Sequence, residues 1–188
     1  MKLHETASQT VGPYVHIGCM PNAIGLHDVY PEDLGARMRG ESTEGQKITI
    51  EGIIRDGAGA PLTDALVEIW QADARGRYGA DGSGFTGWGR AAADAQSGVW
   101  RFETIKPGAV EAMAPHITFW IAARGINMAL HTRMYFPEDE TLQASDPVLA
   151  GFVPAPRRNT LIAQKTADFM YQFNIHLQGS EETVFFDV

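Results

Sequence analysis

The strongest constraint on the fold is a series of short segments in which apolar and polar residues alternate, with turn residues between them. The segment KITIEGIIRD alternates and is rich in isoleucine, and GAGAPLTD after it carries the glycine and proline of a turn. Such alternation indicates half-buried β-strands, and long helical periodicity is absent from the sequence. We therefore predict an all-β fold, an antiparallel β-sandwich with Greek-key connections. The predicted strands are KITIEGIIRD, ALVEIWQAD, GVWRFETIKPG, HITFWIAARG, ALHTRMYF and MYQFNIHLQG.

The N-terminal region differs from the rest of the chain. Residues 1–46 carry prolines and several glycines without a sustained period, so we expect an irregular arm that lies on the sandwich or on a partner chain. We predict one domain over residues 1–188, with the arm at 1–46 and the β-sandwich at 47–188. A short helix is predicted near 32–38. Further short helices or turns are predicted at 146–152 and 159–164.

The composition limits the partners and the location of the chain. The net charge of −8 and the sequence pI near 5.2 argue against non-specific binding to nucleic acid or to an anionic membrane. No apolar run reaches the roughly 18 residues that indicate a transmembrane helix. The segment MKLHETASQT lacks the apolar stretch of a secretory signal. Cys19 is the only cysteine, so an intrachain disulfide and a zinc site built on thiolates are both excluded. We expect a cytoplasmic protein.

One histidine raises the question of a metal site. In the predicted strand HITFWIAARG, His116 is followed two residues later by Thr118. Residues i and i+2 of a strand point to the same side, about 6.5–7 Å apart along the chain, so two histidines at this spacing would grip one metal ion. Here only one histidine is present. The pattern alone leaves three interpretations open: half of a metal site, the remains of one, or no site.

A longer segment resembles a known family. The sequence ITIEGIIRDGAGAPLTDALVEIWQADARGRY, residues 48–78, resembles the signature of the intradiol ring-cleavage dioxygenases. In that signature a strand leads through a glycine-containing turn to a strand of the form VEIWQA and then to a tyrosine. The resemblance covers essentially the whole chain, since FETIKPG, APHI, HTRMYF and YQFNIHLQG also fit. The fixed positions present here are Gly52, Gly59, Leu62, Val67, Glu68, Ile69, Gly76 and Tyr78.

The resemblance implies a non-haem ferric site, which the family holds with two tyrosines and two histidines. Phenolate is a hard anionic ligand suited to Fe(III), and a bound cation lowers the pKa of tyrosine from about 10. The family pattern places Tyr78 at the first tyrosine and His116 at the first histidine. The second tyrosine and the second histidine correspond to Val110 and Thr118. Valine binds no iron and a threonine hydroxyl is a poor ligand, so the resemblance implies a vestigial site without metal.

In lacking two of the four ligands, the chain resembles the alpha-type subunit of the two-chain enzymes in the family. The likeness is carried by SQTVGPYVHIG, MAPHI, ARGINMALHTRMYF and SEETVFFDV. It implies a homologous beta subunit as the partner, which binds Fe(III) and cleaves protocatechuate with O2 in aromatic catabolism. The chain itself is then expected to complete the substrate pocket and to be inactive alone. Neither nucleic acid nor a membrane is expected as a partner.

The resemblance also implies which residues of this chain face the substrate: Thr10, Gly12, Pro13, Tyr14 and Arg124. Protocatechuate is an aromatic carboxylate, so its pocket needs an aromatic wall and donors for the carboxylate. Gly12 and Pro13 form a pre-set turn that allows close backbone approach, and Tyr14 offers the aromatic wall. The planar guanidinium of Arg124 suits a carboxylate. Without the resemblance, Arg124 is interpreted as a surface or ion-paired arginine and the loop as an ordinary connection.

Other side chains are expected to be structural. His131 and Arg133 share a strand face and are predicted to form a polar patch with a structural or interface role. His116 is expected to be a satisfied interior histidine, and Tyr78 a packed or hydrogen-bonded tyrosine. Trp88, in the glycine-rich segment GSGFTGWGR, is the best candidate for an aromatic that faces a partner. The tryptophans expected in the core or at an interface are Trp70, Trp100 and Trp120.

Two further classes of function stay open. The chain could be a stand-alone intradiol dioxygenase with a remodelled iron site, which would need Tyr135 or His131 to swing in as new ligands. It could instead be a binding or structural sandwich without a catalytic partner. Such a protein would have no reason to carry the T-x-GPY and ARGIN elements.

Overall fold

The strands of this protein form two sheets that pack face to face. The computed structural model describes residues 10–79 and 82–187. One sheet contains β4, β1, β8 and β7 in that order, with β9 also paired to β1, and the other contains β3, β2, β5 and β6. The predicted all-β sandwich is therefore confirmed. The strands are β1 Lys47–Arg55, β2 Leu66–Gln71, β3 Trp88–Ala92, β4 Val99–Ile105, β5 His116–Ala122, β6 Leu130–Tyr135, β7 Gln164–Ala167, β8 Met170–Gln172 and β9 Ile175–His176.

The core lies between the two sheets. Trp100 of β4 meets Phe119 of β5 edge-on, with ring centroids 5.3 Å apart. Phe119 in turn meets Phe173, also at 5.3 Å. All three side chains are buried, and the surrounding core is rich in isoleucine from the inward positions of both sheets. Burial of each large apolar side chain contributes about 1.5–3 kcal/mol, so the alternating pattern of the sequence is the main source of stability.

Strand β1 runs through the middle of its sheet and pairs with three others. It is antiparallel to β4 but parallel to β8 and β9. The prediction of purely antiparallel strands is therefore wrong for this sheet. Between β8 and β9 the chain kinks at Phe173 and Asn174. The side-chain oxygen of Asn174 accepts a hydrogen bond from Ile53 N at 3.1 Å, and Phe173 N donates to Glu51 O. The segment MYQFNIHLQG, predicted as one strand, is therefore two short strands joined by this kink.

The N-terminal arm contains more regular structure than the sequence predicts. Helix α1 spans Pro13–Cys19, and a 3-10 helix spans Asn22–Ile24. Met38, farther along, lies in the sandwich core, where its carbonyl oxygen accepts a hydrogen bond from Thr86 N at 3.0 Å. The arm is thus attached to the sandwich by both packing and backbone bonding. Residues 1–9 of the predicted arm lie outside the described residues.

The helix predicted near 32–38 is wrong, because this segment consists of turns and bends. Its Asp33 carboxylate is buried and accepts hydrogen bonds from the backbone N–H groups of Asn22 and Ala23, both at 2.9 Å. These bonds satisfy the first donors of the 3-10 helix, which have no partner within the helix itself. Asp33 therefore acts as a cap for a different element rather than as a helix residue.

The connection between β6 and β7 is helical. The prediction for 146–152 is confirmed as a helix, which Asp146 begins by accepting from Val148 N at 2.8 Å and from Leu149 N at 3.0 Å. The prediction for 159–164 covers the end of a 3-10 helix and the start of β7. In the described part of the chain, no helix is long and apolar enough to span a membrane. The elements of this connection are a 3-10 helix Pro137–Asp139, α2 Glu140–Ala144, α3 Pro147–Phe152 and a 3-10 helix Ala155–Leu161.

Strand β3 was not predicted, because its segment is rich in glycine. Trp88 begins this strand rather than lying in a loop, and it is half-buried. Its indole N–H donates to the Glu68 carboxylate at 3.2 Å, and the Arg90 guanidinium lies 5.0 Å from its ring centroid. Trp88 is thus engaged within its own sheet. Trp70, on the neighbouring strand, is the more exposed aromatic, with 47% of its surface accessible.

A tight turn after β2 positions Tyr78. The buried carboxylate of Asp73 accepts hydrogen bonds from Arg75 N at 2.8 Å, from Arg77 N at 2.9 Å and from the Arg77 guanidinium at 2.8 Å. The Asp73 carbonyl oxygen accepts from Gly108 N at 2.9 Å, which joins this turn to the segment after β4. Burial by itself would raise the pKa of Asp73, but the bonds from Arg77 and Arg75 outweigh it and hold the pKa below its usual value.

We predict that Gly52→Ala is strongly destabilising. A Cβ atom at this position would lie 1.9 Å from Phe173 O and 2.6 Å from the Trp100 ring, so the kink between β8 and β9 would have to move. We expect a loss of about 2 kcal/mol or more in the free energy of unfolding, measured by urea titration. Gly151→Ala is the control, because no atom lies within 4 Å of its Cβ position and alanine favours the helix. Equal midpoints for Gly52→Ala and the wild type would contradict this account.

We predict that Asp73→Asn is destabilising near neutral pH and much less so in acid. A carboxylate whose folded pKa is depressed stabilises the fold above its unfolded pKa of about 3.9, and this stabilisation is lost as the pH falls through the folded pKa. The melting-temperature difference from wild type should therefore shrink below about pH 4. Asp168→Asn, which removes an exposed carboxylate between β7 and β8, is the control. A deficit that is independent of pH would show that Asp73 does not act through its charge.

Candidate functional site

The outer face of the second sheet carries the residues that correspond to the family's metal site. In the register between β5 and β6, Thr118 lies opposite Arg133 and His116 lies opposite Tyr135. Trp70 of β2 lies opposite Thr118 on its other side. Directly opposite residues share a face, with Cβ atoms about 4.5–5.5 Å apart. The sheet therefore places His116 next to Tyr135, and their ring centroids are 5.7 Å apart.

The loops that carry Tyr78 and Val110 meet backbone to backbone. A Cβ atom at Gly76 would lie 1.9 Å from Ala109 O, and the φ angle of Gly76 is +76°. Only glycine allows both this approach and this backbone conformation. Val110 is half-buried, whereas the Tyr78 side chain is 45% exposed. The G-x-Y and KPG segments of the sequence thus meet at one place, although Val110 offers no donor atom there.

His116 is an interior histidine with one satisfied nitrogen. Its side chain is 3% exposed, and Nδ1 lies 2.8 Å from Ala114 O. Because a carbonyl oxygen only accepts hydrogen bonds, Nδ1 carries the proton and Nε2 keeps its lone pair. Burial lowers the pKa of His116, and the nearby positive charge of Arg133 lowers it further. The ring is therefore neutral at physiological pH.

The residues at this site do not fit a ferric ion. Of the four positions that the family pattern assigns to ligands, only Tyr78 and His116 carry a phenol or an imidazole. Val110 is apolar, and Thr118 supplies only a neutral hydroxyl. Within residues 10–79 and 82–187, no three His, Cys, Asp or Glu side chains are grouped so as to hold a metal ion. The donors therefore do not match the two tyrosines and two histidines of the family.

Sequence reasoning missed the place of Tyr135. It was expected to require a large movement to reach this site, whereas the strand pairing places it beside His116. Arg133 was assigned to a polar patch with His131, but its positive charge acts on the pKa values of Tyr78 and Tyr135. The signal was present in the sequence. In the observed antiparallel pairing of ALHTRMYF with HITFWIAARG, the tyrosine of the first segment, Tyr135, lies opposite the histidine of the second, His116.

The second group of predicted site residues lies elsewhere, at the end of the sandwich. Thr10 accepts a hydrogen bond from Gly125 N at 2.7 Å, and its hydroxyl points toward the carbonyl oxygens of Ala123 and Ile126, each 3.4 Å away. One threonine side chain therefore ties the N-terminal loop to the turn that carries Arg124. The two sequence elements T-x-GPY and ARGIN, more than 100 residues apart, form one structural unit.

The side chains of this unit point into solvent. The Tyr14 side chain is 85% exposed, and that of Arg124 is 79% exposed. Pro13 is the first residue of α1, directly after Gly12. Arg124 Nε lies 3.4 Å from the Asp64 carboxylate, but an ion pair this exposed contributes only about 0–1 kcal/mol. The guanidinium therefore remains available to another anion.

A groove of about 800 Å³ lies beside this unit, between α1 and the end of the sandwich. It is lined by small apolar residues of β3 and of the segment after it, by basic or titratable side chains, and by the carboxylates of Asp64 and Asp94. Sequence reasoning identified Gly12 and Arg124 but not His16 or Arg101, because the latter two come from elements that only the fold brings together. The groove residues relevant to an anionic ligand are Gly12, His16, Arg101 and Arg124.

The fold is shared with known dioxygenases. The dioxygenase domain of a dioxygenase carbohydrate-binding protein fusion from Streptomyces sp. SirexAA-E is 25% identical to this chain, with a TM-score of 0.59. The match covers 79% of this chain and 88% of that one. The sandwich of this chain is therefore that of a dioxygenase fold.

Sequence comparisons give the same assignment. A family model described as Dioxygenase matches residues 30–179. The protocatechuate 3,4-dioxygenase alpha chain of Pseudomonas putida is 42% identical, over 98% of this chain and 97% of that protein. A protocatechuate 3,4-dioxygenase beta chain of Burkholderia cepacia is 37% identical, over 74% of this chain and 67% of that protein. This chain therefore belongs to the intradiol ring-cleavage dioxygenase family.

Proposed function

We propose that this chain is the alpha subunit of a protocatechuate 3,4-dioxygenase, in which it completes the substrate pocket of an iron-bearing beta subunit. The observation that carries the proposal is the presence of Val110 and Thr118 at two ligand positions of a chain that otherwise has the family's fold. The full-length similarity to an alpha chain supports it, and the similarity to a beta chain supports a pair of homologous subunits. The proposed location is the cytoplasm.

The reaction belongs to the assembled pair. A ferric ion on the beta subunit supplies the Lewis-acid and electron-transfer chemistry that couples the diol to O2. The ring of protocatechuate opens between its two hydroxylated carbons, both atoms of O2 enter, and the product is 3-carboxy-cis,cis-muconate. The residues of this chain bind the end of the substrate that does not react. Their task is orientation of the ring, which catalysis by proximity requires.

Arg124 is the proposed partner of the substrate carboxylate. Its guanidinium is exposed at the rim of the groove and only weakly paired with Asp64, 3.4 Å away. A planar guanidinium binds a carboxylate with two parallel hydrogen bonds, which fixes direction as well as position. Gly12 has no Cβ atom that would obstruct the aromatic ring of the substrate. The exposed Tyr14 side chain offers an aromatic wall for that ring.

Thr10 is the proposed positioning residue of this wall. Its side chain accepts from Gly125 N at 2.7 Å, so the loop that contains Gly12 and the turn that contains Arg124 hold a fixed relation to each other. Since a binding site acts through geometry held by supporting bonds, Thr10 would act without touching the substrate.

A stand-alone enzyme with a remodelled iron site has less support. Tyr135 is buried, its pKa is raised to about 12 by burial, and Arg133 lies beside it. His131 precedes Arg133 by two residues on β6 and lies opposite Trp120. It is therefore about 6.5–7 Å from the Arg133 position along the strand. Neither side chain therefore supplies the missing anionic or imidazole ligand next to Thr118.

We predict that iron and activity require the partner. The chain should be purified alone and together with a beta-type chain, and each sample assayed for iron and for ring cleavage of protocatechuate. We expect iron and activity only in the pair, at one iron per pair, because the donors on this chain do not fit Fe(III). Stoichiometric iron and ring cleavage by the lone chain would overturn the proposed function.

We predict that Arg124→Ala raises the KM for protocatechuate in the assembled pair by roughly 10- to 100-fold, the equivalent of losing a hydrogen bond to a charged group. Iron content should stay at the wild-type level. Arg37→Ala is the matched control, because Arg37 is 72% exposed and forms an ion pair of the same 3.4 Å length with Glu32. An unchanged KM in Arg124→Ala would remove Arg124 from the pocket.

A further inference from the structure

Arg133 occupies a central place in the cluster that corresponds to the metal site. It lies on β6 directly opposite Thr118, one of the two positions that lack a metal ligand. Tyr135 lies two residues farther along the strand, opposite His116. Side chains at i and i+2 share a face, so Arg133 projects on the same side as all three of these residues.

The Arg133 guanidinium also reaches the segment that holds the other missing ligand. Its Nη1 lies 3.4 Å from the Sδ atom of Met113. Met113 and Val110 exchange two backbone hydrogen bonds, with N···O distances of 2.8 and 3.1 Å, so the two residues are fixed to each other. The guanidinium carbon lies 5.9 Å from the centroid of the Phe186 ring, on whose face a cation is attracted.

The electrostatics of the cluster agree with this position. The positive charge of Arg133 opposes the burial that raises the pKa values of Tyr78 and Tyr135, and adds to the burial that lowers the pKa of His116. The buried hydroxyl of Tyr135 has no hydrogen-bond partner of good geometry among the described residues, yet the guanidinium is near enough to affect it. One side chain is therefore electrostatically coupled to three groups that surround the empty ligand positions.

The negative charge of Asp146 compensates the positive charge of Arg133 in this cluster. Asp146, fully buried at the start of α3, acts on the pKa values of His116 and Tyr135 in the direction opposite to Arg133. Its carboxylate is fixed by hydrogen bonds from Ala114 N at 2.8 Å and from the first turn of α3. Buried charge is stable only when it is compensated, and the cluster contains one group of each sign.

We propose that the guanidinium of Arg133 is a built-in cation that takes the place of the family's ferric ion in this chain and excludes a metal ion from it. Like charges in one partly buried site repel each other, and a trivalent ion is repelled more strongly than a monovalent one. Arginine does not lose its proton in proteins, so this cation is permanent. Restoring the missing ligands is therefore insufficient for metal binding while Arg133 is present.

The test compares V110Y/T118H with V110Y/T118H/R133Q, each purified in complex with the beta-type chain and loaded with ferric citrate. The readouts are iron per pair after gel filtration and the visible absorption of phenolate bound to Fe(III). We expect V110Y/T118H to stay at the wild-type iron content and the triple variant to gain additional iron and absorption. Additional iron in V110Y/T118H, or none in an assembled triple variant, would overturn the proposal.

A less invasive pair leaves the Val110 loop unchanged. T118H and T118H/R133Q are compared for binding of Zn²⁺, which suits a site of nitrogen and oxygen ligands. Only the second is expected to bind one additional Zn²⁺ per pair, and equal binding by both would contradict the role of Arg133. R133Q alone should assemble normally, and its failure to do so would assign Arg133 to the fold instead. The inference rests on contacts within this chain. A wild-type pair without iron would therefore count against the proposed function alone, whereas iron bound by the lone wild-type chain would count against both that function and the role of Arg133.

Discussion

The register between β5 and β6 determines which side chains share the outer face of the second sheet, and the character of the whole site follows from it. Because side chains alternate along a strand, a shift of one residue would exchange that face for the core. The observed register places Thr118 against Arg133 and His116 against Tyr135. Phe119, one residue along, points inward and joins the aromatic contacts with Trp100 and Phe173. The same hydrogen bonds thus fix both the core and the polar cluster.

The loops that carry Tyr78 and Val110 are held together without a metal ion. The Asp73 turn and the contact of Gly76 with Ala109 require specific backbone geometry, yet neither depends on a metal ion. Metal binding contributes to folding free energy where the site does not exist before the chain folds. In this chain hydrogen bonds and close packing hold those positions, so the backbone frame does not depend on the side chains of Val110 and Thr118.

Much of the fold was accessible from the sequence because it rests on local alternation. The strands that face the core on one side, such as β1 and β5, show the expected period and were identified. The failures have physical reasons. Strand β3 is rich in glycine, and the single strand predicted around Phe173 is interrupted where the Asn174 side chain accepts a hydrogen bond from Ile53 N, which the local pattern does not encode. The helix predicted near 32–38 failed because Asp33 bonds to a distant segment.

The candidate site was accessible only in part. The positions of Tyr78, Val110, His116 and Thr118 followed from the family resemblance, since each lies within a recognisable motif. The clustering of Arg133, Met113 and Asp146 was missed, because each comes from a different element and only strand pairing and helix capping bring them together. The roles of the Thr10 loop and of Arg124 in binding remain proposals, although the bond between their segments is a feature of the structure.

The hydrogen bond between Gly125 N and the Thr10 hydroxyl has a thermodynamic consequence for the assembled enzyme. It orders the loop and the turn. Beyond it the Tyr14 side chain is exposed, and the Arg124 side chain is held only by an exposed ion pair with Asp64. If those two side chains become ordered by the substrate and by the partner surface together, each ligand lowers the entropic cost of the other. Substrate affinity and subunit affinity are then linked quantities, and each raises the other by the same factor.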